Sequence, residues 1–182
     1  PPPSGPVSPR AVGELDEHFN HLPFSKGIAF WFEKHNWNST LEARQIIASG
    51  ALGRVHTVYG TATGWTTHLL SHLIDYTSWF NGYSPATWVM AQAAGRSKFT
   101  DSHPSPDYLG GFIQFANGVR GVYECGAGAP AQPDGAKWWG KNRMGAQGTE
   151  GFAEVLTNGG WRAVTKGGGH QSGEGAMNYD LD

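Results

Sequence analysis

The 182 residues suit one domain with a real core, and a net charge of −2 with only 15% charged residues argues against nucleic acid or anionic membranes as partners. No apolar run is long enough to span a bilayer, so we expect neither a membrane segment nor a signal peptide. The single cysteine, Cys125, excludes an internal disulfide framework. We therefore expect a buried thiol and a cytoplasmic, reducing environment.

The first ten residues contain five prolines and no hydrophobic period, which excludes a helix or a central strand there. We expect residues 1–26 to be an irregular arm or a boundary segment. Gly27 to Glu33 is an apolar, aromatic run typical of a buried strand. The main domain is expected over residues 27–166, followed by a loose, glycine-rich tail over residues 167–182.

A helix start is predicted at Ser39, because Glu42 three residues later completes a capping box. The body of this helix is apolar, and Gly50 or Gly53 ends it. Val55 to Thr63 then alternates in the manner of a strand.

The clearest helix lies between Trp65 and Gly82, because this stretch contains no Gly or Pro until Gly82 ends it. Leucines and other apolar residues recur at helical spacing and predict one buried face. A second stripe beside that face carries residues at steps of four, three and four: His68, His72, Asp75 and Trp79. Imidazole and carboxylate groups aligned in this way are suited to proton transfer near neutral pH.

The second half of the chain is typical of strands joined by tight turns. Asn117-Gly118 predicts a β-hairpin with a type I′ turn, in which both residues have positive φ. Gly148 to Gly151 and Asn158 to Gly160 are the other predicted turns. The predicted strands are residues 85–94, 109–115, 119–125, 137–146, 152–157 and 161–165. Together these elements predict an α+β fold: an open, mostly antiparallel sheet with two or three helices packed on one face.

Four stretches resemble, in register, the C-terminal domain of the glucose–fructose oxidoreductase and inositol dehydrogenase family. Residues 41–58 are similar to the helix and strand that open that domain, and residues 72–82 to its active-site helix. Residues 112–123 resemble its central hairpin, and Gly148-Thr149-Glu150-Gly151 resembles its late turn. The resemblance runs from about Gly27 to Thr165.

This resemblance implies the substrate-binding and oligomerising domain of an oxidoreductase that acts on a secondary hydroxyl of a sugar or polyol. It also implies NAD or NADP, bound mainly by a separate Rossmann domain, and a homo-oligomer formed through the sheet face. The glycines at 167–169 are not placed between a strand and a helix, so they are not a dinucleotide-binding loop. We therefore expect a fragment, or a naturally reduced version, of the substrate-binding half.

In that family the active-site helix carries an Asp four residues before a His that acts as general acid or base. His72 occupies the histidine position, while His68 stands where the Asp is expected. The resemblance implies that His72 transfers the proton. His68 would orient His72, bind substrate, or lower the pKa of His72 by repulsion. Asp75 matches the family's Asp three residues after the His, with a structural or a substrate-binding role.

Further substrate-binding candidates are Trp65, which offers a stacking surface for a sugar, and a basic, aromatic group formed by Lys137, Trp138 and Arg143. Core packing and a solvated strand edge explain the same residues as well. Two other functions stay open. One is a non-catalytic carbohydrate-binding or assembly module. The other is a metal-dependent hydrolase or isomerase that uses His68, His72 and Asp75, although the resemblance itself implies no metal.

Overall fold

The computed structural model describes residues 37–64, 66–96, 105–130, 142–156 and 160–173, without the side chains of residues 37–39 and 68. The predicted arm and the predicted strand at Gly27 to Glu33 lie outside these ranges. The elements in chain order are α1 (Trp37–Ala48), β1 (Val55–Ala62), α2 (Thr66–Phe80), β2 (Ala86–Ala94), β3 (Tyr108–Phe115), β4 (Arg120–Cys125), β5 (Arg143–Gly148), β6 (Gly151–Leu156), β7 (Gly160–Thr165) and β8 (Gly169–Gly173).

All eight strands form one open sheet in the order β2-β3-β4-β1-β5-β6-β7-β8. Every neighbouring pair is antiparallel except β1 and β4, which run parallel. Both helices pack on the same face, α2 over β1, β4 and β5, and α1 over β6 and β7. The predicted α+β fold is therefore confirmed for the part of the chain that the structure describes.

Small residues form the floor on which the helices lie. One cross-strand row under the helices reads Gly121, Val58, Ala146, Ala153 and Ala163. A side chain added at Gly60 would meet the Leu73 Cβ atom at 3.0 Å, so α2 lies directly on the backbone of β1. Leu73 is 2% exposed, and full burial of a leucine contributes about 1.5–3 kcal/mol.

The other side of the sheet is called the uncovered face, because neither helix packs on it. Successive residues of a strand point to opposite faces, so the row next to the floor points away from the helices. This row crosses all eight strands and consists of Met90, Phe112, Val122, Tyr59, Gly145, Glu154, Arg162 and Ser172. It is apolar at the β2 side and charged towards β7.

The predicted capping box is wrong. Helix α1 begins at Trp37, so Ser39 lies in its first turn and is not the N-cap. Helix propensities of ordinary residues differ by less than about 1 kcal/mol, so local sequence alone fixes a helix start poorly. The predicted end is confirmed, because α1 stops at Ala48 and Gly50 has a φ of 79°.

The hairpin between β3 and β4 is confirmed, but its turn is not type I′. Phe115 and Val119 bracket a three-residue loop, in which the Gly118 amide donates to the Phe115 carbonyl at 3.0 Å. Only Gly118 has a positive φ (85°), so Asn117 is not left-handed. The Asn117 side chain instead accepts a hydrogen bond from the Val119 amide at 3.2 Å, which favours the longer loop.

Two boundaries in the last third differ from prediction. Strand β5 begins at Arg143 and continues to Gly148, while residues 137–141 lie outside the described ranges. Strand β8 occupies residues 169–173, where a loose tail is expected from the sequence. Its residues are small and polar, and its partner β7 supplies the pairing that the sequence pattern does not reveal. The predicted turn at residues 158–160 falls mostly on residues that the structure does not describe.

Candidate functional site

Helix α2 carries the candidate site on a half-buried stripe beside its buried face. The buried face consists of Leu73, Tyr76, Thr77 and Phe80, which lie against the sheet. His72, Asp75 and Trp79 are each half-buried, as the predicted second stripe requires. The helix ends as predicted, because Gly82 adopts a φ of 63° and the Tyr83 amide donates to the Ser78 carbonyl at 2.7 Å.

The first turn of α2 is held by a segment distant in sequence. The Thr66 hydroxyl donates to the Pro106 carbonyl at 2.9 Å, and the Thr67 amide donates to the Ser105 hydroxyl at 3.2 Å. Thr66 and Ser105 are buried. The segment before β3 therefore satisfies a helix N-terminal amide that the helix itself leaves unpaired.

The second half of α2 is joined to the sheet by a buried polar contact. The Thr77 hydroxyl donates to the Leu73 carbonyl at 2.7 Å and lies 2.7 Å from the Tyr123 hydroxyl on β4. Both residues are almost fully buried. His72 therefore lies between two fixed parts of α2. The first turn is held by the segment before β3, and Thr77 is held by Tyr123 on β4.

Charged and aromatic groups surround the C-terminal end of the stripe. The guanidinium carbon of Arg44 on α1 lies 5.9 Å from the centroid of the Trp79 ring. Partial burial raises the pKa of the Asp75 carboxyl above its ordinary value. Burial and the Asp75 charge raise the pKa of the Tyr83 hydroxyl, while Arg44 lowers it.

Several candidates from the sequence cannot be placed. Trp65, Lys137 and Trp138 lie outside the residues that the structure describes, and the side chain of His68 is not described either. Their roles stay predictions. His72 and Asp75 are the two predicted residues that the structure does bring together, on one helical stripe.

Arg143 is not brought to His72. It pairs with Thr61 on β1, next to Tyr59 on the same face, and its guanidinium carbon lies 6.0 Å from the Tyr59 ring centroid. Gly60, which alternates with these residues, faces α2. The sheet therefore lies between Arg143 and the stripe, and a binding role for Arg143 would belong to the uncovered face.

The uncovered face holds a buried charged network of its own. The Tyr59 hydroxyl donates to Glu154 Oε2 at 2.7 Å, and Arg162 forms an ion pair with Glu154 Oε1 at 2.5 Å. Gly145 between them leaves the space through which Tyr59 reaches across β5. Burial and the neighbouring Glu154 raise the pKa of the Tyr59 hydroxyl, so Tyr59 stays a donor to Glu154 at any ordinary pH.

Two further expectations concern chemistry and location. Cys125 is fully buried, as predicted, and burial raises the pKa of its thiol to about 11. Among the side chains that are described, no three His, Cys, Asp or Glu residues are grouped as a metal site. In the described ranges, neither helix has the length and hydrophobicity needed to cross a membrane.

The fold and the α2 stripe together define a class: an open-sheet α+β domain that presents a histidine helix. Comparison with solved structures finds the same fold in other proteins. A proposed oxidoreductase from Erwinia carotovora atroseptica SCRI1043 matches with a TM-score of 0.62 and 24% identity, over 79% of this chain and 50% of that chain.

Levoglucosan dehydrogenase in complex with NADH matches with a TM-score of 0.56 and 19% identity, over 76% of this chain and 45% of that one. Gal80p from Saccharomyces cerevisiae, as a super-repressor mutant, matches with a TM-score of 0.59 and 16% identity, over 79% of this chain and 45% of that one. These likenesses confirm the resemblance at the level of the fold.

This chain spans about half the length of the structures it matches. Neither a family model nor a curated protein matches the sequence. The same fold occurs in dehydrogenases and in a protein named as a repressor, so the fold alone does not decide between catalysis and regulation.

Sequence reasoning missed two residues of the candidate site, Arg44 and Tyr83. Helical spacing does not predict Tyr83, because α2 ends at Phe80 and both Gly82 and Tyr83 have positive φ. Arg44 had no signal either, because its approach to Trp79 depends on how α1 and α2 pack.

Proposed function

We propose that this chain is the substrate-binding half of an oxidoreductase that uses NAD or NADP and acts on a secondary hydroxyl of a sugar or polyol. The observation that carries the proposal is the half-buried His72, on a helix fixed to the sheet and one turn before Asp75. The fold shared with an NADH-bound dehydrogenase supports it. A cytoplasmic location is part of the same proposal.

In this mechanism His72 accepts the hydroxyl proton when the alcohol is oxidised and returns it in the reverse reaction. The hydrogen that leaves carbon as hydride goes to an acceptor outside this chain. Fixation of α2 by Thr66, Ser105, Thr77 and Tyr123 holds the backbone of His72 in one position relative to the sheet. A fixed base avoids the entropy of finding the reacting proton.

The described residues do not fit a dinucleotide. A nicotinamide dinucleotide binds its phosphates at a glycine-rich turn between a strand and a helix. The turn that contains Gly167 and Gly168 joins β7 to β8, two strands of an antiparallel pair. We therefore propose that a separate domain binds the cofactor.

Calorimetric titration with NADH and NADPH tests whether a separate domain binds the cofactor. The 182-residue chain is compared with a longer product of the same gene that includes the sequence upstream. We expect binding by the longer protein and none by the chain alone. Binding by neither protein would contradict the proposal and favour a non-catalytic module with this fold.

We also propose that the uncovered face pairs with a second copy of the chain. Met90, Phe112 and Val122 lie side by side across β2, β3 and β4, and with Trp88 they line a groove of about 470 Å³. Trp88 is 54% exposed and Met90 is 51% exposed. An exposed apolar patch of this kind marks an interaction surface, and two sheets pack face to face in such contacts.

A further inference from the structure

Strand β2 forms one edge of the sheet and is exposed along its whole length. It is outermost among the strands that the structure describes, with β3 on one side of it and no described strand on the other. All nine residues of Ala86–Ala94 are exposed to solvent. A strand in this position presents a row of backbone amides and carbonyls that have no partner in the sheet, and such a row is a template for another strand.

The direction of these backbone groups follows from the pairing of β2 with β3. The Asp107 amide donates to the Gly95 carbonyl at 3.3 Å, in the same register that pairs Ala94 with Tyr108. Hydrogen-bonded and non-hydrogen-bonded pairs alternate along an antiparallel ladder, so the odd-numbered residues from 89 to 95 bond to β3. The amides and carbonyls of the even-numbered residues point to the free edge, namely those of Trp88, Met90, Gln92 and Ala94.

Strand β2 lacks the features by which proteins protect an edge strand, which are charged side chains, prolines, bulges and short length. Its nine residues include no charge and no proline, and seven of them are Ala, Val, Trp or Met. The register shift between Ala86 and Trp88 lies at one end, so the rest of the strand pairs regularly. Trp88, Val89 and Met90 are each more than half exposed. The free edge is therefore both apolar and open to pairing.

The other edge of the described sheet is different. Strand β8 has only five residues, Gly169–Gly173, with glycine at both ends and polar residues between them. It offers β2 no apolar side chain and fewer backbone groups. Pairing of β2 with β8 of another copy would also leave a free edge at each end and build an open fibre, whereas pairing of β2 with β2 closes after two copies. A second β2 is thus the better-matched partner.

We propose that β2 of one copy pairs with β2 of a second copy in antiparallel orientation and joins the two sheets into one. A twofold axis relates the two strands, so each contact is made twice. Since β2 carries no charge, the two copies place no like charges opposite each other. Paired residues of neighbouring strands point to the same face, so the uncovered faces of both copies lie on the same side of the joined sheet.

This edge contact is separate from the proposed pairing of uncovered faces. It buries less apolar surface than two sheets packed face to face, so we expect it at higher protein concentration. Dimers paired through their uncovered faces then join at β2 into tetramers. Where the faces do not pair, single copies join at β2 into dimers. In both cases the number of copies doubles as the concentration rises, so the edge contact is tested independently of the face contact.

Amide hydrogen exchange in the 182-residue chain tests the contact, because pairing at the edge gives the outward amides a hydrogen-bond partner and pairing of the faces does not. We expect exchange at Met90 and Gln92 to slow about tenfold at a protein concentration where about nine-tenths of the copies are paired. Exchange at Val89 and Ala91 is expected to be slow at every concentration, because these amides bond to β3.

Two variants at one position separate the backbone from the side chain. Gln92→Pro removes the outward amide and leaves the bonds from β2 to β3 in place, as proline does on an edge strand. Gln92→Ala removes the same side chain and keeps the amide. In sedimentation velocity, we expect Gln92→Pro to lose the doubling of mass and Gln92→Ala to retain it. Thermal unfolding of each variant verifies that it is folded.

Four outcomes would overturn the pairing of β2 with β2. Exchange at Met90 and Gln92 that stays fast at every concentration would show that the edge is unpaired. Slow exchange that does not depend on concentration would assign the edge to a segment of the same chain. Growth beyond a doubling of mass would indicate the open β2–β8 contact. Equal association of Gln92→Pro and Gln92→Ala would show that the outward amide makes no contact.

Discussion

The Thr77 hydroxyl lies 2.7 Å from the Tyr123 hydroxyl, inside the layer between α2 and the sheet. Tyr123 reaches this position by passing over Gly121, where a side chain would meet its ring at 2.7 Å. Burial raises the pKa of the Tyr123 hydroxyl, which therefore stays neutral. This contact fixes the rotation of the helix that carries His72.

Tyr123→Phe is expected to lower the free energy of unfolding by about 0.5–1.5 kcal/mol. The loss is larger if the buried Thr77 hydroxyl is left without a hydrogen-bond donor. Thr77→Val combined with Tyr123→Phe is expected to cost less than the sum of the single changes, because the two residues act as a pair. The free energy of unfolding is measured in urea for the wild type, the two single variants and the double variant. Tyr108→Phe is the matched control, since its hydroxyl bonds Glu124 at a less buried position. Additive effects of Thr77 and Tyr123 would contradict the role assigned to the contact.

The sequence was sufficient for the elements whose signals are local. The α2 helix combines an unbroken helical pattern with a terminal glycine, and the β3–β4 hairpin combines alternation with Asn117-Gly118. Each of these patterns involves residues that are close together in the sequence, so it can be recognised without knowing how the elements pack. The stripe of His72 and Asp75 follows from helix geometry for the same reason.

Features that depend on partners could not be predicted in this way. Strand β8 has no apolar pattern and exists through its pairing with β7. Arg143 follows Lys137 and Trp138 closely in sequence and so was grouped with the substrate residues, but strand alternation turns it to the uncovered face. The approach of Arg44 to Trp79 is set by the packing of two helices.

Asp75→Asn is expected to stabilise the chain at pH 7. The pKa of Asp75 is raised above 3.8 in the folded state, so folding disfavours its ionised form. The carboxyl favours folding below about pH 4, and this contribution is lost as the pH rises through the folded-state pKa. Asparagine does not ionise, so the variant should be more stable than the wild type at pH 7 and equally stable below about pH 4. Urea unfolding at several pH values measures this, and an equal difference at every pH would contradict it.

Cys125 is expected to react slowly with thiol reagents in the folded chain. Its pKa rises from 9.0 to about 11, which reduces the thiolate fraction at pH 8 about 100-fold, and burial blocks access as well. Labelling with a chromogenic disulfide at pH 8, with and without denaturant, measures the ratio of rates. A folded-state rate equal to that of the unfolded chain would show that β4 opens readily.

The proposed pairing through the uncovered face predicts a difference between two neighbouring residues of β2. Met90 points to the uncovered face, whereas Val89 points to the side of the helices and is 61% exposed. Met90→Glu is expected to shift the chain from dimer to monomer, because it places a charge in the contact. Val89→Glu is expected to leave the dimer intact. Sedimentation velocity distinguishes these results, and a wild-type monomer, or equal effects of both changes, would contradict the pairing.

The most direct test of the central claim is the turnover of polyols by the longer gene product that we propose binds NAD or NADP, with His72→Asn compared against wild type. His170→Asn is the matched control, because His170 is exposed on β8 at the edge of the sheet, whereas α2 packs over the central strands. If His72 transfers the proton, kcat/KM should fall by about 10²- to 10⁴-fold in His72→Asn and stay within about twofold in His170→Asn. Unchanged turnover in His72→Asn would contradict the assignment of this helix as the catalytic element.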